Sequence, residues 1–119
     1  SFKRQAMRGS AVTEEARKKL LGMIAPLTAA EVRQIAAGVA TALHPEPGYR
    51  IDCPTLIAHG DRDDLGNIRK VAGPWARRDG AVGPVVIAAA GHVANMDRPE
   101  AFNDVMMAFL EEHYPIGAR

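Results

Sequence analysis

The chain has 119 residues, 47% of them apolar and 24% charged, with fifteen basic against fourteen acidic side chains. That balance excludes a disordered or fibrous polypeptide and leaves no positive excess with which to neutralise the phosphates of a nucleic acid. No apolar run nears the roughly 18 residues that cross a bilayer, no signal-peptide pattern opens the chain, and the lone Cys53 rules out an internal disulfide or a cysteine-rich zinc site, so a cytoplasmic protein that binds no membrane is expected.

Residues 1–12 carry Lys3, Arg4 and Arg8 without a clean apolar period, and little structure is expected there. Opening on Ser1 instead of Met, they suggest a processed or truncated end. From Thr13 the pattern turns helical. Thr13 can cap, Glu14 and Glu15 suit the positive first turn, and Ala16, Leu20, Leu21 and Ile24 share a face before Pro26. Thr28 and Glu31 form a capping box for a second helix, in which Val32, Ile35, Ala36, Val39, Ala40 and Leu43 recur at helical spacing. The run His44-Pro45-Glu46-Pro47-Gly48 ends it. Two such neighbours form an αα-hairpin, which cannot bury both of its stripes alone.

Residues 54–60, Pro-Thr-Leu-Ile-Ala-His-Gly, read as a buried strand, followed by the turn Asp61-Arg62-Asp63-Asp64-Leu65-Gly66. Asn67 is expected to cap a helix with Ile68, Val71, Ala72, Trp75 and Ala76 on one side, and Pro74 to kink or restart it. Residues 84–90, Pro-Val-Val-Ile-Ala-Ala-Ala, read as a second buried strand closed by Gly91. Asp97, Pro99 and Glu100 then announce a last helix, with Asp97 as its cap and Phe102, Met106 and Phe109 facing the core.

Strand, helix, strand, helix with continuously apolar strands is the pattern of an α/β fold: a parallel pair joined by a right-handed crossover helix and followed by a terminal helix. In such sheets chemistry gathers beyond the carboxyl ends of the strands. There the sequence places Asp61, Asp63 and Asp64 after the first strand and His92 after the second. A carboxylate that accepts from one ring nitrogen fixes the tautomer of a histidine and leaves the other nitrogen free as a general base. The pair lacks a nucleophile.

The segment Pro54-Thr55-Leu56-Ile57-Ala58-His59-Gly60-Asp61-Arg62-Asp63 resembles the acid-bearing strand and turn of the α/β-hydrolase superfamily. Ala90-Gly91-His92, followed by Pro99-Glu100-Ala101-Phe102-Asn103, resembles its histidine segment. The resemblance covers residues 51–112. It implies Asp63 as the acid and His92 as the base of a Ser-Asp-His triad, no cofactor and no metal, and a small-molecule substrate such as an ester or lactone. It also makes residues 1–48 a remnant of the helical cap and residues 49–119 the C-terminal part of the hydrolase core. Leu65 and Val93 would face the substrate pocket.

The superfamily's nucleophile stands in a G-x-S-x-G elbow upstream of the acid. Ser1 and Ser10 are the only serines here, and neither stands in such an elbow. Ser10 follows no strand and is not expected to substitute, so the attacking serine would lie outside this chain. A catalytically inactive remnant that serves as a binding or assembly module is the alternative.

Several residues are read as structural. Asp61 and Asp64 are expected as turn and capping residues, and His44, His59 and His113 as surface or hydrogen-bonded histidines. Trp75 is read as core, and Cys53 as buried and inert. The edge of residues 54–59 is expected to be open and to recruit the missing N-terminal portion or another copy.

Overall fold

The computed structural model describes residues 9–117. It is a mixed α/β arrangement of five helices and a two-stranded parallel sheet. Helix α1 (Glu14–Ile24) starts at Thr13, whose hydroxyl accepts from the Ala16 N–H, with Glu14 and Glu15 in the positive first turn. Helix α2 (Ala29–Ala42) opens with the complete capping box of Thr28 and Glu31. Both starts follow from local side-chain chemistry alone.

Strand β1 (Leu56–Gly60) pairs in parallel with β2 (Val82–Ile87), with Ala58 opposite Val85 and Gly60 opposite Ile87. The second strand therefore begins two residues before its apolar run, and residues 88–90 leave the sheet to make the turn that carries His92. Helix α3 (Ile68–Asp79) connects the strands and ends at a left-handed Gly80. Pro74 lies inside it without dividing it, and Asn67 at its start makes no side-chain cap. A short α4 (Ala94–Asp97) precedes α5 (Pro99–His113).

The sheet separates two small cores. On one face Ile57 packs with Ala72 and Ala76 of α3, flanked by Ile68 and Trp75; on the other Ile87, Ala90 and Ala94 are joined by Ala58 and Phe102. Phe109 is half-buried, whereas Met106, expected to face the core, is exposed and joins neither core. Cys53, expected to be buried, is exposed: it precedes β1 and takes no part in the sheet.

Alanine supplies much of this burial, and alanine removes little surface. The chain exposes 8725 Å², against about 6,300 Å² for a compact chain of this mass. Helices α1 and α2, expected to pair as an αα-hairpin, barely touch one another, because each carries too little bulk on its apolar side to hold the other, and their stripes are left largely uncovered. In α1 only Ala16 is buried, and in α2 no residue is, so Ile35, Val39 and Leu43 stand 56%, 55% and 77% exposed.

The two outer edges of the sheet differ. That of β2 carries Pro84, which has no N–H to offer a further strand. That of β1 has neither proline nor a charged lysine, and among the described residues β1 pairs with β2 alone.

Candidate active site

Both strands end on the same side of the sheet, and the loops beyond them interlock through their backbones. Asp61 N–H donates to the Ile87 carbonyl at 3.0 Å, and Arg62 N–H to the Ala90 carbonyl at 2.9 Å. The Asp61 carboxylate accepts from Ala90 N–H at 3.1 Å, so this residue, expected only to turn the chain, also braces the opposite loop. The Ala89 N–H above all, and then, against burial, the Ala90 N–H and the charge of Arg62 hold its carboxyl below the usual range. Ala89 itself is left-handed, with φ 54°, a conformation that costs a non-glycine residue roughly 1 kcal/mol. Strain of this kind gathers at loops whose exact course matters.

The interlock brings Asp63 and His92 together. Asp63 is 6% exposed, and its Oδ1 accepts from Leu65 N–H at 3.0 Å. The Nδ1 of His92 lies 3.1 and 3.2 Å from the two carboxylate oxygens. The histidine side chain is 52% exposed and that of its partner 5%. One ring nitrogen thus faces a buried acceptor, while the rest of the ring is open to solvent or to a substrate. In the tautomer that places its proton on Nδ1, the ring donates to this carboxylate and leaves the Nε2 lone pair free to take a proton from an attacking hydroxyl.

The remaining candidates fall where their local chemistry puts them. Asp64 is exposed and pairs with Arg69 at 2.8 Å. His59 is buried and its Nδ1 bonds the Gly60 carbonyl at 2.9 Å; His44 pairs with Glu46 on the surface, and His113 stacks near Phe109. Leu65 is 38% exposed, and Val93, half-buried, follows His92 directly. Among the described residues no three histidine, cysteine or acidic side chains gather as metal ligands would.

Residues 9–12, within the stretch expected to carry little structure, are tied into this site together with Thr13; residues 1–8 lie outside the described part. Ala11 is 2% exposed, and the Ser10 carbonyl accepts from Val93 N–H at 3.1 Å. The tie is made by Asp97, which does not cap α5. Arg98 occupies that cap position without a side-chain bond. Asp97 turns inward instead, 5% exposed, and accepts from the N–H groups of Val12, Thr13 and Gly91 and from the Thr13 hydroxyl, at 2.8–3.0 Å. Gly91 permits this approach, since a Cβ there would lie 3.0 Å from the Ser10 carbonyl oxygen and 3.3 Å from the carboxylate.

Comparison of the chain with protein-family models, with curated proteins and with solved structures finds no match.

Proposed function

We propose that this chain is the Asp- and His-bearing C-terminal portion of an α/β-hydrolase-type enzyme, an esterase- or lactonase-like catalyst of small-molecule hydrolysis. Asp63 orients His92, and His92 activates a serine that lies outside these 119 residues. One observation carries the reading: the buried Asp63 carboxylate meets Nδ1 of a half-exposed His92 at the carboxyl ends of two adjacent parallel strands. The two motifs around these residues, in the order and spacing of that superfamily, support it. The two helices before residue 48 are in keeping with the tail of a cap, and Leu65 and Val93 with the lining of a pocket.

Without a nucleophile the dyad has no atom to activate, and little rate enhancement is expected of this chain alone. The test is a fluorophosphonate serine probe applied to the longer protein that carries this chain behind an upstream G-x-S-x-G segment. The probe should label a serine outside the 119 residues, and both His92→Ala and Asp63→Asn should suppress labelling, the second by freeing the ring to take the wrong tautomer. Retained labelling in His92→Ala would remove this histidine from the mechanism; labelling of Ser10 in the isolated chain would overturn the reading.

The exposed stripe of α2 favours a second reading, in which the chain serves binding or assembly without catalysis. Absence of labelling in the longer protein would support it. Both readings share a partner at the open edge of β1, either upstream chain or another copy. Light scattering of the isolated chain at high concentration should therefore report species larger than a monomer, and a strictly monomeric solution would count against that edge.

A further inference from the structure

His92 belongs to a loop, and a loop side chain is placed only as well as the peptides on either side of it. Both flanking residues are held by their N–H groups. Gly91 N–H donates to Asp97 Oδ2 at 2.8 Å, and Val93 N–H donates to the Ser10 carbonyl at 3.1 Å. The second hold depends on the first carboxylate too, because the strand of chain that presents Ser10 is fastened two and three residues later, where Val12 and Thr13 N–H donate to the same Asp97. Remove that carboxylate and both supports of the histidine loop loosen together.

We infer that Asp97 is a positioning residue for His92, fixing the loop so that the imidazole Nδ1 meets Asp63, and that it does so by clamping the segment that leads into α1 against the histidine loop. The inference deepens the hydrolase reading and rests on it for its catalytic consequence. Its chemistry is that of an internal anion site: converging N–H groups and a hydroxyl, which would otherwise be orphaned at a loop, share one buried carboxylate. A carboxylate whose only role was to start α5 would project toward that helix's first N–H groups, and this one does not.

Its second consequence concerns α1. This helix buries only Ala16, so apolar packing holds it weakly, and the clamp ties down Thr13, the residue that caps it. Placement of α1 and placement of the histidine are then coupled through one side chain.

The test is imidazole ¹⁵N spectroscopy of the chain labelled at histidine, at about pH 8.5, two units above the ordinary imidazole value, where rings are neutral. In the wild type His92 should give the Nδ1–H tautomer. Asp97→Asn, which keeps the shape but turns an N–H₂ group toward the converging donors, should make that tautomer the minor form at His92 and leave the exposed His44 unmoved. Thr13→Val, which removes one donor and keeps the others, should move His92 in the same direction by less, and it serves if Asp97→Asn does not fold. A folded variant of either kind with the His92 tautomer unchanged would overturn the positioning role and reduce Asp97 to a structural tie. A wild-type ring that lacks the Nδ1–H form would instead defeat the Asp63–His92 pairing itself, and with it the proposed function.

Discussion

Gly60→Ala should destabilise the chain by about 3 kcal/mol or more, at or beyond the upper end of ordinary overpacking. Gly60 is the buried last residue of β1 and stands opposite Ile87 in the sheet. A Cβ at this position would overlap the carbonyl oxygens of Ala90 and Gly91 and lie 2.5 Å from the Ala90 carbonyl carbon. All three atoms are backbone, so no side chain can rotate away to make room. The peptides that would have to move lead directly into His92. The added methyl group should therefore both lower the denaturation midpoint and separate His92 from Asp63. An unchanged midpoint in denaturant would show that the two loops do not approach one another as closely as described.

Asp97→Ala should cost about 3–5 kcal/mol, because buried donors left without an acceptor each cost roughly 1–3 kcal/mol. The N–H groups of Val12, Thr13 and Gly91 and the Thr13 hydroxyl lose their acceptor together. Half-burial of Val12 and Thr13 lets water recover part of the loss, which keeps the total below a full sum. Acid should act in the same direction. Burial pushes the Asp97 carboxyl up, but donation from Thr13, Gly91 and Val12 outweighs it and holds the group below its ordinary value of 3.8. A carboxyl depressed in the folded state contributes its full stability above the unfolded pKa and loses it as pH falls through the folded one. Unfolding measured in denaturant should thus change little with Asp97 ionisation near neutrality and weaken below about pH 4. Asp61 and Asp79, also depressed, add to the same acid slope. Asp97→Ala should remove its own share of that slope and leave theirs; an identical pH profile in the variant would mean that the clamp carries no charge.

The candidate site was only partly legible beforehand. The acidic turn of Asp61, Asp63 and Asp64 and the loop of His92 are legible because each follows an apolar run closed by glycine, and two parallel strands deliver such loops to one edge; only the resemblance singles out Asp63 within that turn. Asp97 was visible but assigned to the wrong partner: an Asp two residues before a proline is ordinarily a helix cap, and nothing nearby in sequence reveals donors 84 and 85 positions away. Ala89 was missed for a related reason. A left-handed residue is usually signalled by glycine, and here an alanine adopts that conformation under the constraint of the interlocked loops.

The helices with their threonine caps, the two strands, and the acidic turn and histidine beyond them are legible in the sequence. These depend on periodicity and on side chains reaching backbone groups within a few residues, which are properties of short stretches of chain. Long-range contacts alone bring residues 10–13 back to hold the histidine loop, make Asp97 the buried acceptor joining them, and leave the stripe of α2 uncovered. Such outcomes depend on which distant groups the fold brings together and on how much apolar surface an alanine-rich core can bury.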